Sequence, residues 1–116
     1  MAKAVFVQKG ENIDYTAASD IGYMEVVPLT SCIGVALEEI ASGATGAVSL
    51  TGVYELPAAT SLTISVGDAV FWNTTNDNID KDESGVPAGI AVADKASAGE
   101  SVRVKLGFVY VAPSTP

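Results

Sequence analysis

Histidine is absent from this 116-residue chain, and basic residues are scarce: six lysines and arginines stand against 14 acids, for a net charge of −8. Without an imidazole there is no Ser-His-Asp triad, no histidine metal site and no imidazole acid–base chemistry. The six cations, Lys3, Lys9, Lys81, Lys95, Arg103 and Lys105, are scattered. Phosphate backbones are bound by clustered Lys and Arg through counterion release, so no direct nucleic-acid contact is expected. A lone cysteine, Cys32, can neither staple the fold nor form a redox pair. Within Ser31-Cys32-Ile33-Gly34 it reads as a small buried hydrophobe, because no histidine is there to activate it. No apolar run approaches the ~18 residues of a membrane span, and the opening residues lack a secretory apolar core and cleavage site, so manufacture and use without export are the default. No glycine is followed by Lys and then Ser or Thr, which removes the phosphate loop. Nowhere does a helical apolar period of useful length appear.

What remains is a chain of short β-prone runs. Apolar residues make up 48% and charged residues 17%, a composition that leaves apolar surface over for a partner. The stretch over residues 62–72 organises the rest. Its Gly67-Asp68 pair suits a tight turn, because glycine tolerates positive φ and aspartate bonds its own downstream backbone. Val70, Phe71 and Trp72 then follow as a β-branched and aromatic run, and Trp72, the one tryptophan, should anchor the core or an interface. Residues 2–8 read as a first strand apolar on both faces, through Val5, Phe6 and Val7, and therefore sandwiched or covered by a neighbouring subunit. Residues 13–16 alternate as the return of a hairpin. Residues 24–29 carry Pro28, which lacks a ladder donor and belongs at an edge. Further strands are expected over 33–37, 46–56 and 101–111. The last has Val102, Val104, Leu106, Phe108 and Tyr110 on one face, while the other becomes apolar at Val109 and Val111, as a strand entering an interface would.

The chain also echoes itself. Gly34-Val35-Ala36-Leu37 is similar to Gly89-Ile90-Ala91-Val92, and Leu50-Thr51-Gly52-Val53-Tyr54 to Leu106-Gly107-Phe108-Val109-Tyr110, at spacings of 55 and 56 residues. Two β units of that length are one reading; chance in a Gly/Ala/Val-rich chain is the other. The most polar segment covers residues 73–84. Within it, Asp80-Lys81-Asp82-Glu83-Ser84-Gly85 matches the first half of a calcium loop, but position twelve is Ala91 instead of the closing bidentate glutamate. A solvated hairpin tip is the plainer reading. Glu38 and Glu39 are adjacent and would point to opposite faces of a strand, so a solvated turn suits them better than paired catalysis. No cofactor, no metal and no enzymatic activity are expected.

At this point the sequence resembles a known family. The opening through Thr16 follows the pattern A-x-x-x-x-x-G-x-x-I-D-Y-T, set by Ala4, Gly10, Ile13, Asp14, Tyr15 and Thr16. The pattern continues in Cys32-Ile33-Gly34-Val35-Ala36, Gly67-Asp68-Ala69-Val70-Phe71-Trp72, Gly89-Ile90-Ala91 and Gly99-Glu100-Ser101-Val102-Arg103-Val104. It is similar to the small cement, or decoration, proteins of tailed phages, up to about Leu106. Some of these carry the label of a RecA/RadA-like recombinase, which a chain without a phosphate loop does not fit. The resemblance implies a small β-rich protein, made in the host cytoplasm, that binds the outside of the phage head and reinforces it. Its partners would be the major capsid protein and further copies of itself, as a trimer or else a dimer, with no nucleic acid and no membrane involved. The expected architecture is all-β with little or no helix, a small antiparallel barrel or jelly-roll-like sandwich. Residues 1–112 would form one domain and 113–116 an extended tail. The candidate interface residues are Val5, Phe6, Val7, Trp72, Phe108, Val109 and Val111. A virion-displayed ligand- or glycan-binding module is the alternative, and it would call for Trp72 or Tyr23 exposed beside polar loops.

Overall fold

A computed structural model describes residues 3–107, and among them there are nine strands and no helix. The first antiparallel sheet contains β1 (Asn12–Thr16), β2 (Val26–Pro28), β3 (Ile33–Ala36) and β4 (Thr45–Ser49), in the order β1-β4-β3-β2. The second contains β5 (Val53–Pro57), β6 (Ala69–Asn73), β7 (Asn78–Asp80), β8 (Val86–Ala91) and β9 (Ser101–Leu106), in the order β5-β9-β8-β6-β7. Together they form a sandwich-like all-β arrangement. Pro28 lies on the edge strand β2, where its missing N–H costs no ladder bond.

The two sheets are two copies of one unit. Strands β1, β2, β3 and β4 correspond to β5, β6, β8 and β9, in the same spatial order. The loops repeat as well, bond for bond. Ile21 and Ile40 exchange two backbone hydrogen bonds of 2.8 and 2.9 Å; Ile64 and Lys95 exchange the same two at 3.1 and 2.8 Å. The Met24 N–H donates to the Ala36 carbonyl, and the Gly67 N–H to that of Ala91. Leu37 donates to Ala47 as Val92 does to Arg103. Even the turn acids match: Glu25 accepts from the Gly22 N–H, and Asp68 from the Ser65 N–H. The spacing is 41 residues at the first strand (17 to 58), 43 in the turn before the central hairpin (21 to 64) and 55 after it (36 to 91). The larger difference is an insertion in the second unit, which carries β7 and the polar segment.

The cores correspond position by position. In the first unit Ala17, Val27, Ala36, Ile40 and Val48 form a buried cluster, with Ile13, Tyr15 and Ile21 packed against it. Their counterparts Ala58, Val70, Ala91, Val104, Leu56 and Ile64 lie in the second cluster. Only one buried member changes character: Lys95 stands where the first unit has Ile40. It is 4% exposed, and its Nζ donates to the carbonyls of Leu62 and Ala96. Ile33 and Val35 of β3 join the second cluster, which therefore draws on both sheets. In the second unit the inserted β7 also meets the chain just after β5. Ala58 bridges Ile79, and the Ala59 N–H donates to the Ile79 carbonyl, so that sheet curls until its two edges touch.

Three expectations need correction. The strand expected over residues 2–8 is not formed in its described part, residues 3–8, which has no ladder partner; the first strand among the described residues is β1, which pairs with β4 instead of returning from a hairpin. Residues 46–56 are two strands in different sheets. The alternation of Val48, Leu50, Tyr54 and Leu56 is real, but it serves two cores. The chain changes sheets at residues 50–52, where Gly52 has φ +108°. Cys32 is half-buried, not buried.

Gly34 and Gly89 occupy the same place in the two units, each with the neighbouring strand pressed against its Cα. At Gly89, where φ is +147°, an added Cβ would overlap the Lys105 carbonyl oxygen. Gly89→Ala should therefore cost about 3 kcal/mol or more through forced strand separation. Gly43→Ala should cost only about 1–2 kcal/mol, because φ is +83° there but the surrounding space is open. Urea unfolding of the two variants checks this; equal losses would contradict it.

Candidate interface surfaces

Three surfaces stand out, and the polar segment is the first. The Asn73 amide donates to Asp80 Oδ2, the Asp82 N–H to Asp80 Oδ1, and the Ser84 N–H and hydroxyl to Asp82 Oδ1. Asn73 Oδ1 accepts from the N–H groups of Thr75 and Asn76 and so shapes the β6–β7 turn. These side chains and Thr74 line an open recess of about 300 Å³. The Ser84 N–H, followed by its hydroxyl, holds Asp82 below the ordinary carboxylate pKa. The Ser65 N–H does the same for Asp68, helped by Lys81 at 3.5 Å. Both shifts are downward, so what they add to the turns is present above the ordinary aspartate pKa and lost as pH falls through the lowered one. Asp80 and Asp82 of the half-motif thus accept hydrogen bonds from backbone and side-chain groups of their own segment. Among the described residues no group of three Cys, Asp or Glu side chains is placed to hold a metal.

The second surface is the arm ahead of β1. Val5, Phe6 and Val7 are 83%, 84% and 83% exposed. The side-chain hydrogen bond nearest to them runs from the Gln8 amide to the Asn12 carbonyl at 3.3 Å. Three consecutive large apolar side chains in water are unusual unless something covers them.

The third surface consists of isolated apolar side chains on turns and strand ends. Tyr23 is 66% exposed and Val66 61%; Leu37 and Val92 are 36% and 37%. From sequence, Tyr23 is named only as a possible ligand platform, and the other three are not singled out. Aligning Ile21-Gly22-Tyr23-Met24-Glu25 with Ile64-Ser65-Val66-Gly67-Asp68 would have found the first pair, because acid and isoleucine bracket both turns identically.

Of the residues singled out from sequence, Trp72 is 5% exposed and belongs to the shared core. It takes the core-anchor role of the two foreseen for it, and the structure does not bring it together with the arm. Phe108, Val109 and Val111 lie outside the described residues. Of the two aromatics that could have made a ligand platform, Trp72 is buried, while Tyr23 is exposed beside Glu25.

The chain is thus all-β, with several of its acids tied into its own turns and several large apolar side chains left on the outside. The family model of phage cement proteins matches residues 7–106, and the chain belongs to that family. Its role is therefore structural and not enzymatic: it stabilises the capsid as a component of the virion. Comparison with curated proteins and with solved structures gave no match.

The half-motif lacks its closing ligand, so the fold is expected not to need calcium. A chelator should leave the thermal midpoint unchanged, and any calcium binding should be weaker than about 10⁻³ M. A midpoint lowered by several degrees in chelator would contradict this.

Proposed function

We propose that this protein binds the outer surface of the phage head, on the major capsid protein, as a symmetric homo-oligomer that clamps neighbouring capsomers. The observation that carries the reading is the arm, with Val5, Phe6 and Val7 fully presented and no ladder partner among the described residues. Transfer of each such side chain from water into a shell contact contributes about 1.5–3 kcal/mol, and an extended segment can also add backbone bonds along a strand edge. A protein that binds the assembled shell and not its separated subunits stabilises it by linkage alone. A trimer is favoured over a dimer by analogy with other phage decoration proteins. The core shared across the two units supports their acting as one domain.

With a net charge of −8, long-range attraction to an acidic shell cannot drive this association; apolar burial and edge pairing do, and salt affects both weakly. Capsid occupancy should survive about 0.5 M salt, where the Debye length is roughly 4 Å. Removing the chain through Val7 should abolish binding and leave the fold intact, because that segment lies outside both cores. Sedimentation of stripped heads mixed with full-length or truncated protein measures both. Binding lost in salt, or a folded truncation that still binds fully, would overturn the reading.

A further inference from the structure

Beyond the arm, seven large apolar side chains are exposed among the described residues, and four of them fall into two equivalent pairs. Tyr23 and Val66 occupy the same position of the same turn, 43 residues apart. Leu37 and Val92 follow the same strand, 55 residues apart. Within each unit the two members are neighbours through the backbone. The turn holding Tyr23 is bonded at Met24 to Ala36, directly before Leu37; the turn holding Val66 is bonded at Gly67 to Ala91, directly before Val92.

Elsewhere the two units share their core and turn bonds but differ at individual positions. Val35 is buried while its counterpart Ile90 is exposed, Ile40 is matched by a lysine, and an extra strand has entered one hairpin. Against that divergence, exposed apolar side chains at matching sites are a shared property that packing within the chain does not require. What the sites share is apolar exposure and not an aromatic ring, since Val66 answers Tyr23, so stacking on a sugar is not the common factor. The matching carboxylates, Glu25 and Asp68, are occupied in capping their own turns, which leaves the apolar tips as the contacting groups.

We infer that the Tyr23–Leu37 and Val66–Val92 tips are two equivalent docking points, and that each fits the same apolar recess on one of two neighbouring copies of the shell protein. This rests on the proposed binding to the head and adds its valence: one chain, by its internal duplication, bridges two identical sites of a repeating lattice. Two linked weak contacts then give an avidity that neither has alone, typically 10²- to 10⁴-fold.

The test measures affinity for stripped heads by sedimentation, using wild type, Tyr23→Asp, Val66→Asp and the double variant. Both positions are exposed, and unchanged thermal midpoints certify that the variants are folded. Each single variant should weaken binding roughly 100-fold, as expected for losing one of two linked contacts, and the double variant should bind more weakly still, held by the arm alone. A single variant that binds like wild type would overturn the inference while leaving the arm-driven reading standing. Failure of the wild type itself to bind heads would remove the proposed function, and this inference with it.

Discussion

Each half of the protein is closed by one reciprocal pair of backbone bonds, Ile21 with Ile40 and Ile64 with Lys95. A lone four-stranded sheet of this size has one face to bury and no helix to cover it. The pairs draw two loops of the same unit together across that face, so that Ile21 and Ile40, or Ile64 and the stem of Lys95, become the lid on Val27 and Val48, or Val70 and Val104. Without them the first cluster loses Ile21 and Ile40, and the second loses Ile64. The second pair carries an extra demand, because a lysine lies where its twin has an isoleucine. With the amine bonded to two carbonyls and no carboxylate among its hydrogen-bond partners, its charge is solvated by the backbone. Such burial is tolerated when every donor direction is met and costs several kcal/mol when it is not.

Duplication then accounts for both the sameness and the asymmetry. Close approach of β3 to β4 needs Gly34, and close approach of β8 to β9 needs Gly89, so the glycine repeats. The left-handed turn residue repeats in conformation but not in identity: Gly67 takes φ +93° without strain, and Met24 takes +66° at some cost. Where the units differ, the difference has a structural use. Val35 is covered by the second unit, whereas Ile90 has no third unit to cover it. The insertion that adds β7 lets the second sheet close on itself through Ile79, while the first leaves β1 and β2 as edges. A fold built this way stabilises itself internally and leaves its outward apolar groups for a partner, which is what a cement protein needs from a small chain.

Much of this was legible in the amino-acid order. Strict alternation located β9, proline marked an edge, Gly67-Asp68 marked its turn, and the echo at residues 34 and 89 is the trace of the duplication. The misses share one cause, namely that local pattern does not reveal pairing. Val5, Phe6 and Val7 have strong β-propensity, yet propensity without a ladder partner gives an extended arm. The alternation through Leu50 continues in register across a change of sheet. Strand β7 has one buried side chain, Ile79, between Asn78 and Asp80, so nothing in its composition separates it from a polar loop. Exposure is the hardest property to read: Tyr23 looks like any core aromatic until its turn is laid over that of Val66.

The central claim is that this chain reinforces the head from outside through its exposed apolar segments. Cryo-electron microscopy of heads with and without the protein tests it most directly. The account predicts added density on the outer surface, spanning neighbouring capsomers, with residues 3–9 ordered against the shell. Added density that leaves those residues in solvent, or that touches a single capsomer only, would contradict it.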